Sequence, residues 1–127
     1  MAIPLEFDVW QFVRLMDMLE NSKRPRTSVY YAWKSEWTEL DARLGKLATS
    51  DPDAYSALMM DQQIIVECKD VPQVVEVIGF AERVVRRLGK ELAAKPKDKH
   101  LRDSLLFEKR EMEDLLARLR AARRRPK

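Results

Sequence analysis

Leu5, Val9, Phe12, Met16 and Leu19 recur at alternating steps of four and three, and Val13 widens the same face. The spacing predicts an amphipathic helix from about Leu5 to Glu20. It ends in Asn21-Ser22-Lys23-Arg24-Pro25-Arg26, because proline disfavours helical geometry at the residue before it and lacks a backbone donor. With Thr27 or Ser28 as a cap, Tyr30, Trp33, Trp37, Leu40, Leu44 and Leu47 repeat the three-and-four step, so a second helix runs to about Ala48. Asp51-Pro52-Asp53 opens a third, since Asp51 is a good cap, Pro52 suits the first helical position and Asp53 complements the helix dipole. Its apolar positions are Tyr55, Leu58, Met59 and Ile65. The β-branched run Ile64-Ile65-Val66 would equally suit a short strand, which leaves residues 61–68 open between the two. Helix is the reading taken, since no second strand is evident to pair with it.

Asp70-Val71-Pro72 starts a fourth helix, which stops before Pro96. Val74, Val75, Val77, Ile78, Ala81, Val84, Val85, Leu88 and Leu92 cover more than half of its circumference, and Gln73, Glu76, Arg83, Arg87 and Lys90 form one narrow polar stripe. An apolar arc that wide needs neighbours on more than one side. Asp98 caps a last helix from about Lys99 to Arg124, with the stripe Leu101, Leu105, Glu108, Met112, Leu115, Leu119 and Ala122. The fold class expected is therefore all-α: a single bundle of four to five mostly antiparallel amphipathic helices, from which the last can project. Residues 1–96 form the bundle core. Residues 97–127 form a basic amphipathic helix and tail, either part of the same domain or a dimerisation arm.

Composition agrees with this pattern. The chain has 127 residues, 46% hydrophobic and 35% charged, with only 3 Gly, a size that suits one core and a make-up that suits helices with a charged back. No apolar stretch approaches the ~20 residues that span a bilayer, and Met1–Asp8 lacks the basic start and apolar run of a signal peptide. A cytoplasmic protein without membrane insertion is expected.

Charge adds an asymmetry that the net +3 conceals. Met1–Glu82 holds 8 Lys+Arg against 14 Asp+Glu, or −6, whereas Arg83–Lys127 holds 16 against 7, or +9. Such a split suits two faces that attract each other, or a basic surface for an acidic partner.

Candidate chemistry is sparse. One His and one Cys cannot build a transition-metal site; His100 beside a helix cap reads as solvated, and Cys68 as a small core residue. Three Gly leave no phosphate loop. The carboxylate pairs Asp17 with Glu20, Glu36 with Glu39 and Glu111 with Asp114 read as solvated helix faces. A non-enzyme is expected, with no cofactor, no metal and no small-molecule substrate.

Seven of the ten aromatics lie within the first 37 residues. Tyr30, Trp33 and Trp37 share a face and read as packing between the first two helices. Trp10 and Tyr31 sit off their stripes, as exposed anchors for a partner would. Leu101, Leu105, Met112, Leu115 and Leu119 admit a coiled-coil seam, and from them a homo-oligomer, a dimer, is expected. For nucleic acid the candidates are Lys23, Arg24, Arg26 and Lys34 around the first loop, and Arg118, Arg120, Arg123, Arg124, Arg125 and Lys127 in the tail, since clustered cations attract phosphates. Cations near a helix C-terminus also favour its dipole, and a solvated tail is the plainer reading. The expectation is a self-associating, non-catalytic interaction or adaptor protein with a protein partner, and a DNA- or RNA-binding protein as the alternative.

Overall fold

Ile3, Leu5 and Phe7 alternate with Pro4, Glu6 and Asp8, and in the structure this alternation is a strand. The computed structural model describes residues 2–21 and 28–124. Strand β1 (Ile3–Asp8) pairs antiparallel with β2 (Gln63–Cys68), placing Leu5 opposite Val66 and Phe7 opposite Ile64. One face of this ribbon carries the buried Leu5, Phe7, Val66 and Cys68; the other carries Pro4, Glu6, Ile65 and Glu67, all exposed. Two expectations are corrected here. The first helix does not begin at Leu5, and residues 63–68 are strand, not helix. A period of two places every second side chain on one face, and the partner strand lies some sixty positions away, beyond the reach of local periodicity.

Helix α1 (Val9–Glu20) starts where the ribbon ends. The Asp8 N–H donates to Gln11 Oε1 at 3.0 Å, which satisfies a donor that the helix start would leave unpaired. Helix α2 (Ser28–Ser50) follows, then α3 (Pro52–Asp61), whose cap is Asp51 as expected: its side chain accepts from the Ala54 N–H at 3.1 Å. Helix α4 (Val71–Ala93) has a reciprocal cap. The Gln73 N–H donates to Asp70 Oδ1 at 3.0 Å, the Lys69 N–H donates to Gln73 Oε1 at 2.8 Å, and Gln73 Nε2 donates to Ser28 Oγ at 3.2 Å. Lys95, in the left-handed region at φ 53°, ends that helix ahead of Pro96. Helix α5 (Lys99–Arg124) is capped by Asp98, whose Oδ1 accepts from the His100 N–H at 2.9 Å.

Among the described residues the protein is thus mostly helical, with five helices and one small sheet. It divides into two compact units, Met1–Gln73 and Val74–Lys127, and α4 begins in the first and continues into the second. The core of the first is aromatic. Trp33 lies 5.8 Å from Phe7 and 5.9 Å from Phe12 between ring centroids, and Trp37 lies 6.4 Å from Phe12. Their polar ends are satisfied, because Trp33 Nε1 donates to Glu67 O at 2.9 Å and Trp37 Nε1 to Glu20 Oε2 at 3.1 Å. The aromatic stripe of α2 therefore packs on β1 and α1. The second unit is an antiparallel hairpin of α4 and α5: Arg120 bonds Glu82, and the Lys109 side chain approaches Gly89, so the two helices run in opposite directions.

Candidate nucleic-acid interface

In α4 the apolar residues Val77, Ala81, Val84 and Leu88 are buried. At 100° per residue their arc leaves Arg83, Arg86, Arg87 and Lys90 together on the opposite side. Arg86, Arg87 and Lys90 are exposed. Arg83 is half-buried, its guanidinium 4.9 Å from the centroid of the Phe80 ring, close enough for the cation to meet the negative face of the aromatic system. Four cations thus occupy seven helical steps, a length of about 10 Å. Among the described residues no ion pair joins Arg86, Arg87 or Lys90 to a carboxylate.

The facing helix adds cations that are already compensated. Arg120 Nη2 lies 2.9 Å from Glu82 Oε2, and Lys109 Nζ lies 3.2 Å from Glu113 Oε2. Between the helices runs a groove of about 430 Å³ lined by Glu82, Val85, Arg86, Glu113, Leu116 and Arg120. Arg86 therefore stands both on the α4 ridge and at the rim of this groove.

The residues singled out in the sequence are distributed as follows. Lys34 is exposed on α2 in the first unit, whereas Arg118, Arg120, Arg123 and Arg124 are exposed on α5 in the second. Lys23, Arg24, Arg26, Arg125 and Lys127 lie outside the described residues. Tyr31 is 62% exposed, with its ring edge-on to Tyr30 at 5.4 Å. Trp10 is corrected from an exposed anchor to a core residue, being only 6% exposed. It looked off-stripe because the stripe was drawn through Leu5, which belongs to a strand; counted from Val9, the buried face of α1 is wide enough to include it.

The residues of the expected dimer seam lie mostly in the core. Leu105, Met112, Leu115 and Leu119 are buried within the single chain, and of the five only Leu101, at 50%, is exposed. The hairpin with α4 gives the α5 stripe a surface inside the same chain. Sequence reading named Arg83, Arg87 and Lys90 only as a polar stripe and passed over Arg86. Its signal was available, since it lies three positions after Arg83 and four before Lys90, the spacing of one helical face.

Outside this face the chemistry is plain. Cys68 is buried at the end of β2 and His100 is exposed at the start of α5. Among the described residues no three His, Cys, Asp or Glu side chains converge to hold a metal ion, and no helix is long and apolar enough to cross a membrane. No protein-family model matches the chain, and neither comparison with curated proteins nor comparison with solved structures finds a match.

Proposed function

We propose that this chain is a non-catalytic helical interaction protein whose C-terminal hairpin engages an acidic macromolecular partner. The observation that carries this reading is the coincidence of charge with architecture. Residues 1–73 hold 8 Lys+Arg against 12 Asp+Glu, a net −4, and residues 74–127 hold 16 against 9, a net +7. The net positive charge of the second unit gives it a field that attracts an acidic surface, with long-range attraction speeding the encounter. The expected non-enzymatic role rests on the same face, where the charges are cationic and lie along an open ridge rather than converging on an enclosed pocket.

Binding is tested with fluorescently labelled polyglutamate and a labelled DNA duplex, titrated with the intact chain at about 50 mM and about 200 mM salt. The reading expects binding of at least one probe, weakened by salt and by R118Q/R123Q/R124Q. These substitutions are preferable to truncation before Arg118, which would remove the buried Leu119. No binding of either probe at the lower salt overturns it.

Nucleic acid as the partner is the second reading, and the composition of the exposed ridge favours it. Three of its four cations are arginine, whose planar fork of donors matches phosphate oxygens better than the ammonium of lysine does.

A further inference from the structure

We infer that the exposed ridge of α4, formed by Arg83, Arg86, Arg87 and Lys90, is a docking surface for the sugar-phosphate backbone of a nucleic acid. This deepens the second reading above and depends on it. Its content is that the middle of α4, and not the C-terminal tail, supplies the principal phosphate contacts.

Three observations lead there. First, the ridge is uncompensated: Glu82, which stands one turn before Arg86, is paired instead with Arg120, and Glu113 is paired with Lys109. The carboxylates nearest the groove are therefore already engaged by α5 cations, and Arg86, Arg87 and Lys90 keep their donors for an external ligand. Second, its dimensions suit a phosphate strand. Arg86, Arg87 and Lys90, the three that reach outward, extend for about 6 Å along the helix, and phosphates follow one another at about 3.4 Å of axial rise per strand, so they span about two phosphates. Third, the ridge lacks what a protein partner would need. Among the described residues the exposed large hydrophobics are Tyr31, Met60, Ile65, Val75, Leu101, Leu106 and Phe107, and none of them stands among the ridge cations. A stable protein interface has an apolar, aromatic-rich centre; backbone binding to nucleic acid requires cations alone.

Phosphate contacts position a protein without reading bases, so two duplexes of unrelated sequence should bind equally. The stacking of Arg83 on Phe80 holds that guanidinium near the helix surface, leaving Arg86, Arg87 and Lys90 to reach outward.

The test is fluorescence anisotropy with a labelled 20-base-pair DNA duplex and the full chain, measured from about 50 to about 200 mM salt. In R86Q/R87Q/K90Q the slope of log K against log salt should flatten by about 2 to 3, and binding at the lower salt should weaken by about tenfold or more. R86K/R87K keeps the charges and should keep the wild-type slope, a rescue that a purely structural role would not produce. All variants are checked by circular dichroism for wild-type helix content and melting. Retention of wild-type affinity and slope by R86Q/R87Q/K90Q, with loss of binding in R123Q/R124Q/R125Q, overturns the inference while leaving the nucleic-acid reading intact. Failure of the wild-type chain to bind the duplex at the lower salt, with polyglutamate still bound, overturns both and leaves an acidic protein as the partner.

Discussion

Replacing Trp33 by Phe tests whether a side chain from α2 closes the edge of the two-stranded sheet. Glu67 lies opposite Pro4 in the ladder, and proline has no N–H, so this pair cannot exchange the two bonds of a hydrogen-bonded pair. The Glu67 carbonyl turns instead to the outer edge of β2, where Trp33 Nε1 donates to it at 2.9 Å. A two-stranded ribbon is marginal by itself, and its unpaired edge must be covered. Phenylalanine keeps an aromatic ring against Phe7 and Phe12 but removes the N–H and part of the ring. The lost bond should cost about 1 kcal/mol, since water can partly replace it at an edge, and the lost ring volume in a packed core about another 1 to 2 kcal/mol. The sum of about 2 to 3 kcal/mol lowers the urea midpoint by about 1 M at a slope near 2 kcal/mol/M. Unfolding followed by circular dichroism at 222 nm measures it. Trp33→Ala should cost more, about 3 to 5 kcal/mol. If Trp33→Phe falls within about 0.5 kcal/mol of wild type, the size expected of an inert surface change, the indole does not secure this edge.

Three further substitutions check separate parts of the structure. Trp10→Ala should destabilise by about 3 to 5 kcal/mol in urea titration, as truncation of a buried tryptophan does; a change below about 0.5 kcal/mol would restore Trp10 to the surface. Gln73→Ala leaves the Lys69 N–H without its acceptor and should cost about 1 to 3 kcal/mol in urea titration, and a loss below about 0.5 kcal/mol would discount that bond. Lys95→Gly relieves a left-handed backbone position and should raise the melting temperature by a few degrees, corresponding to about 1 kcal/mol, and a lower melting temperature would argue against the φ of 53° observed there.

Much of the helical layout is legible in the residues, because each long stripe is bounded by chemistry that acts locally. Asp51-Pro52 and Asp98 cap helices where their side chains suggest, and the aromatic face of α2 is its packing face. The misplaced start of the first helix and the missed strand share one source. A helix stripe through Leu5 and Val9 fits the three-and-four rule by coincidence, since Leu5 also belongs to the alternation of Ile3, Leu5 and Phe7. Capping chemistry would have separated the two: Asp8-Val9-Trp10-Gln11 places an acid and a glutamine three residues apart, as Asp70-Val71-Pro72-Gln73 does again, and both pairs stand at a strand-to-helix junction in the structure. Noticing the repeat would have put a strand before each helix and made β1 the missing partner of Ile64-Ile65-Val66. The burial of Leu105, Met112, Leu115 and Leu119 was less accessible. An apolar stripe records that a surface must be covered, but it cannot distinguish cover by the same chain from cover by another copy.

The α4 ridge carries an energetic cost that bears on its role. Arg83 with Arg86, Arg83 with Arg87, Arg86 with Lys90 and Arg87 with Lys90 all stand three or four residues apart, where like charges repel by about 0.2 to 0.5 kcal/mol per pair. Taken together, the four pairs oppose folding by about 1 to 2 kcal/mol at low salt, offset in part by Glu82 and Glu91, which stand four residues from Arg86 and Arg87, and added salt should relieve part of the repulsion by screening. A helix face selected only for stability would interleave acids here, and Arg87→Glu would do so, setting a carboxylate four residues after Arg83 and three before Lys90. That substitution should stabilise the chain by about 0.5 to 1 kcal/mol in low-salt urea titrations while weakening binding to a DNA duplex. Gain in stability with loss of binding is the pattern of a surface kept for a ligand at the expense of the fold. Loss of stability on Arg87→Glu would mean that the arginine serves the hairpin itself, and the ridge would then have no need of a partner.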